Sequence, residues 1–138
     1  MIPPRLLAAY RCTVYRFVDD GRWVDFRIGR ADSALDRVLR RYRACSAAFL
    51  TAWNPLSRPQ PALVNAVRER RLAAAARRGG WPVLPGEGAD PAGLWPPERS
   101  LLILAIDRRS ADRLAAAFGQ NAYVWLQPRS DPSLVLCR

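Results

Sequence analysis

The side chains of this chain that could act on a ligand are carboxamides, hydroxyls and a few acids, placed where apolar runs end or begin. Thr51-Ala52-Trp53-Asn54-Pro55-Leu56-Ser57 follows the run Ser46–Leu50, Glu98-Arg99-Ser100 precedes the run Leu101–Ile106, and Gln120-Asn121 follow Phe118-Gly119. Carboxamides offer paired, directional donors and acceptors, an arginine can hold an anionic group, and a carboxyl can move a proton. We read Thr51, Asn54, Ser57, Asn65, Arg68, Ser100, Gln120 and Asn121 as candidate ligand-binding residues, with Glu98 as the candidate acid/base, Glu87 beside it, and Arg30 or Arg68 for an anionic group. Each also has a structural reading: Asn54 before Pro55 as a turn former, Gln120-Asn121 as a helix terminus, Glu98 as a surface acid.

The residue types that are missing narrow the chemistry. The chain has no histidine, and every one of its 22 basic residues is arginine. Ser-His-Asp and Cys-His catalysis are therefore out, as are a Walker A lysine, a Schiff base and a Ser-x-x-Lys nucleophile. Cys12, Cys45 and Cys137 form no C-x-x-C pair. Without histidine they leave only an unusual Cys/carboxylate zinc set, so no metal and no cofactor is expected. We expect the three thiols to be reduced, small core fillers.

Length and composition describe what must position these residues. At 138 residues, half hydrophobic and a quarter charged, the chain has the size and composition of one globular domain. We place that domain at residues 10–138, with residues 1–9 as a lead-in. No apolar run approaches the roughly 20 residues of a membrane helix, and no signal-peptide pattern is present. A bacterial, cytoplasmic protein without membrane contact is expected. The net charge of +10 lies entirely in residues 1–80, which carry 16 arginines against six acids. That half could attract nucleic acid. It also fits the arginine bias of a GC-rich genome.

Periodicity and turn signals place the elements. A short helix is expected over 3–10, strands over 13–18 and 23–28 about the Asp20-Gly21 turn, and a helix from Asp32 or Ser33 carrying Leu35, Val38, Leu39 and Tyr42 on one face. A buried strand over 45–53 leads to a second helix over 61–78 with the stripe Val64, Val67, Leu72 and Ala75. Then follow a short strand over 81–84, a Gly/Pro loop over 85–97, a strand over 101–106, a helix capped by Ser110, and strands over 121–127 and 133–137. The order β-β-α-β-α-β-β-α-β-β indicates an α+β domain with a mixed sheet of five to seven strands. If each element crosses the domain once, the polar segments around Thr51–Ser57, Glu98–Ser100 and Gln120-Asn121 all arrive at one edge of the sheet.

Phe49-Leu50-Thr51-Ala52-Trp53-Asn54-Pro55-Leu56-Ser57, Asn65, Gly86-Glu87-Gly88, Trp95 with Glu98–Leu102, and Phe118-Gly119-Gln120-Asn121-Ala122, in that order, resemble the bacterial DUF3293 family. The resemblance runs from about Tyr10 to the C-terminus. It implies the domain boundaries and, the family being of unknown function, no reaction. Three functions are expected to compete. One is a small-molecule site, nucleotide- or amino-acid-like, catalytic or not, where the Thr51–Ser57 and Phe118–Ala122 segments meet. The second is nucleic-acid binding by the arginine-rich half, with Trp53 or Trp95 as stacking platforms. The third is a structural or interaction module with no ligand.

Overall fold

The computed structural model describes residues 2–137. Its elements are α1 (Pro4–Cys12), β1 (Val14–Asp19), β2 (Arg22–Phe26), α2 (Ser33–Arg41), β3 (Ala47–Thr51), α3 (Ala62–Arg78), β4 (Val83–Ala89), β5 (Glu98–Leu104), α4 (Arg108–Ala117), β6 (Ala122–Leu126) and β7 (Ser133–Leu136), with a 3-10 turn at Pro55–Ser57. The seven strands form one sheet in the order β2-β1-β4-β5-β3-β6-β7. This is the α+β domain expected, with one correction. Every pairing is antiparallel, so the sheet is not mixed. The reason lies in strand order: β1, β5 and β6 run one way and β2, β3, β4 and β7 the other, and the sheet interleaves the two sets.

The helices lie on both faces of the sheet. On one face α2 covers an aromatic-rich core containing Tyr15, Phe17, Phe26, Phe49, Leu102 and Val124. Here Phe26 meets Phe49 edge-on at 5.2 Å and Tyr15 stacks on Phe26 at 5.4 Å between ring centroids. Asp32 caps α2 by accepting from Ala34 N and Leu35 N at 2.7 and 3.3 Å. On the other face α3 and α4 cover a core built largely of small residues. Ala48, Ala52, Ala76, Ala111 and Ala115 pack there with Leu50, Leu72 and Ile103.

Four expectations change in detail. The buried face of α3 carries Asn65, Leu72 and Ala76, while Val64 and Val67 are exposed. The stripe is turned by one position because Asn65 faces in toward partners on the preceding turn. Helix α4 is capped by Asp107, whose carboxylate accepts from Ser110 N at 3.1 Å, rather than by Ser110. Strand β4 runs through Pro85-Gly86-Glu87-Gly88, which reads as loop. A Cβ at Gly86 would lie 2.4 Å from Arg16 O and 2.9 Å from Phe49 Cε2, so β1 and β4 can pair here only with glycine. Pro85 is tolerated because the ladder to β1 begins only at Gly86. Cys12 and Cys45 are exposed, not core fillers: one ends α1 and the other lies in the loop before β3.

Candidate functional site

The edge of the sheet where β3 ends also receives the end of β4 and the starts of β1, β5 and β6. The polar segments therefore arrive together, and they build a tightly bonded turn. Asn54 is its hub. Its backbone is left-handed (φ +46°), a conformation asparagine tolerates better than most residues. Its Oδ1 accepts from Gln60 N and from Asn65 Nδ2, both at 3.0 Å, and its backbone N donates to Asn65 Oδ1 at 3.0 Å. Its Nδ2 donates to Glu98 Oε1 at 2.9 Å. Leu56 and Ser57 also have positive φ, both +58°. Such residues cost roughly 1–3 kcal/mol each and persist only where their surroundings over-determine them.

The surroundings here do that. Arg68 donates from Nε to Ala52 O at 2.7 Å and from Nη2 to Phe118 O, joining the turn to the end of α4. Gln120 donates from Nε2 to Trp53 O at 3.0 Å and Phe118 O at 3.2 Å. Leu56 N donates to Gly119 O at 2.7 Å, and Asn121 Nδ2 to Ser57 Oγ at 3.0 Å. Thr51 Oγ1 donates to Arg99 O at 2.8 Å and accepts from Trp53 N at 3.0 Å. Arg68 therefore acts as a clamp on two carbonyls.

Beside the turn is a cavity of about 720 Å³ on the α2 face of the sheet. Its origin is geometric. Helix α2 has nine residues and spans about 13 Å, whereas the seven residues of β5 extend about 23 Å, so α2 cannot cover the whole face. The uncovered floor is made of small groups, Gly88, Ser100 and Ala122, with Phe49 and Tyr15 behind them. Helix α1 forms the outer wall through Leu6, Ala9 and Tyr10, yet none of its residues is buried. It is held by Tyr15 Oη donating to Tyr10 O at 2.8 Å and by a 3.2 Å contact between the Tyr10 and Ser57 hydroxyls. Trp53 and Trp95 complete the lining.

Of the residues singled out in the sequence, Thr51, Asn54, Ser57, Glu98, Ser100 and Gln120 line this cavity. Asn65, Arg68 and Asn121 lie behind it, bonded to the turn. Arg30 lines a separate shallow pocket with Asp25 and Asp32, and Glu87 pairs with Arg16 at 3.3 Å. Burial pushes the Glu98 carboxyl above its ordinary value, against a smaller lowering by the Asn54 hydrogen bond. Burial likewise raises the Tyr15 phenol. The α1 wall escaped sequence reasoning because a short, weakly patterned helix reads as a lead-in; Tyr10 and Leu6 four residues apart were its only signal.

A single antiparallel sheet with helices on both faces, and a cavity at the edge where its polar turns meet, defines the class of this protein. The model of the family described as "Protein of unknown function (DUF3293)" matches residues 50–123, more than half the chain, and the chain belongs to that family. The matched span contains Asn54, Asn65, Glu98 and Gln120, and leaves out α1, β1, β2, α2 and β7. No curated protein and no solved structure matches the chain. Among the described residues no helix is long and apolar enough to cross a membrane, and no three potential metal ligands cluster.

Proposed function

We propose that this protein binds a small organic molecule, base-like or amino-acid-like, in the cavity between α1 and the sheet. The observation that carries this reading is an aromatic cavity of about 720 Å³ holding one half-buried carboxyl, Glu98, whose orientation is set by Asn54. Binding sites are commonly concave and mostly apolar, with a few fixed polar groups, and of this volume. The bonded turn behind the cavity is the second support, since pre-organised polar groups bind without an ordering cost. Asn65, Arg68 and Gln120 act in this reading by positioning Asn54 and the Trp53 carbonyl. Glu98 is the group that would exchange a proton if the bound molecule reacts.

Trp53 and Trp95, which could serve as stacking platforms for a nucleic-acid strand, line the cavity instead. That favours the small-molecule reading over a nucleic-acid surface. A thermal-shift screen of nucleosides, amino acids and amines, run on the wild type and on Ala9→Trp, tests it. Ala9 lines the cavity from α1, so the indole fills the space from outside the core. The expected result is stabilisation of the wild type by one chemical class, lost in Ala9→Trp while the fold is retained. No stabilisation by any compound, or equal stabilisation of both proteins, overturns the reading.

A further inference from the structure

We infer that the cavity selects an organic cation, a protonated amine or amidine carried on a flat apolar body, with Glu98 as its counter-charge. The inference rests on the small-molecule reading above and names the class of molecule.

The first argument is the distribution of charge. Asp19, Glu69, Glu87 and Asp112 each have an arginine partner. Glu98, the acid that lines the cavity, has none among the described residues. The arginines nearest in the chain or the turn are committed elsewhere. Arg99 lies on the opposite face of β5, where it bonds Glu69 at 2.9 Å, and Arg68 is bonded to Ala52 O and Phe118 O. The other charged lining residue, Arg5, is exposed in the first turn of α1, where solvent screens it. A partly desolvated carboxyl without a cation favours a ligand that brings one. The upward displacement of its ionisation agrees with the missing counter-charge.

The second argument is an account of donors and acceptors. The lining donors on the sheet and turn are engaged within the protein: Thr13 Oγ1 to Ala9 O, Tyr15 Oη to Tyr10 O, Thr51 Oγ1 to Arg99 O, Asn54 Nδ2 to Glu98, Ser100 Oγ to Glu98 O and Gln120 Nε2 to two carbonyls. The donors left are the Arg5 guanidinium, the Trp95 indole N–H, the second Asn54 Nδ2 proton and one hydroxyl of the Tyr10–Ser57 pair. Glu98 Oε2 and Gln120 Oε1 have no hydrogen-bond partner among the described residues, and both residues line the cavity. A lining that offers acceptors selects a ligand rich in donors. The third argument is the walls. Tyr10, Tyr15, Phe49, Trp53 and Trp95 present ring surface, which favours a flat body and attracts positive charge through the ring quadrupole.

The test uses three probes with one body and three charges: tryptamine, tryptophol and indole-3-propionate, titrated calorimetrically at neutral pH into the wild type, Glu98→Gln and Ala9→Trp. Tryptamine is expected to bind the wild type about tenfold or more tighter than tryptophol, and indole-3-propionate more weakly than either. In Glu98→Gln, confirmed as folded by its melting transition, tryptamine and tryptophol should converge to within about threefold. Tryptophol or indole-3-propionate binding the wild type as tightly as tryptamine overturns the inference. So does a tryptamine preference that survives Glu98→Gln, or no binding by any of the three. The small-molecule reading falls separately, if Ala9→Trp leaves all binding unchanged.

Discussion

The two faces of the sheet are built from the same strands and end differently. Under α3 and α4 the core residues are mostly small and aliphatic and are buried. Under α1 and α2 the strands present large rings near α2 and small groups beyond its reach, which leaves the cavity. Strand β5 shows both in one stretch: Leu101 and Ile103 belong to the closed core, while Ser100 and Glu98 face the cavity. The alternation of a strand thus lets one face carry stability while the other carries a site. Part of the price of that division falls on the turn at Asn54–Ser57, where bonded side chains offset the strained backbone.

The contrast can be broken or sharpened by four substitutions. The largest effect is expected from Leu72→Ala, on the closed face at 1% exposure. Removing it should cost about 2–5 kcal/mol in urea unfolding, because packed alanines cannot collapse into the void. Next is Arg68→Ala, which strips two carbonyls of a charged donor. A loss of about 1.5–3 kcal/mol is expected, with weaker binding in the cavity because the turn that orients Asn54 loosens. A stable Arg68→Ala with intact binding would remove Arg68 from its positioning role.

The third effect is a pH dependence. Glu98 titrates above its ordinary 4.5 in the folded chain, so the folded state holds this proton to higher pH than the unfolded state. Its favourable contribution is complete below the unfolded value and is lost as pH rises through the folded one. Glu98→Gln keeps an acceptor for Asn54 and removes the titration. The difference in melting temperature between this variant and the wild type should therefore grow, in the variant's favour, as pH rises from 4.5. A difference that is flat with pH would place Glu98 in water. The smallest effect belongs to Leu6→Ala on the outer wall, expected to change stability by less than about 1 kcal/mol because its site is open. A Leu6→Ala loss as large as that of Leu72→Ala would mean the two faces are equally closed.

The legibility of these faces in the sequence was uneven for physical reasons. Strong periodicity and turn chemistry placed β1, β2, α2 and β3 within a residue or two and β5 within three, and counting crossings brought the polar segments to one edge. Where a local rule is overridden by tertiary contact, the reading slipped. Pro85-Gly86-Glu87-Gly88 looks like loop, and is strand because β1 and Phe49 approach too closely for any side chain at Gly86. Val64 and Val67 look like core, and are exposed because Asn65 has partners worth burying. The cavity itself is set by how far α2 reaches, a length no residue pattern announces. Which polar residues face that cavity and which brace it from behind depends equally on the turn at Asn54.

Strand β3 carries one further consequence, for the order of assembly. Its neighbours β5 and β6 lie roughly 50–80 residues later in the chain, whereas β1-β2, β4-β5 and β6-β7 each pair with their successor. Local hairpins form fast, and closing long loops is slow. The hairpins are expected to form first, and β3 to enter between two of them afterwards, bringing Asn54 against Glu98 and the Phe118–Asn121 segment. A refolding chain should therefore show most of its strand signal before it gains any capacity to bind, so that recovery of binding marks the completion of the sheet.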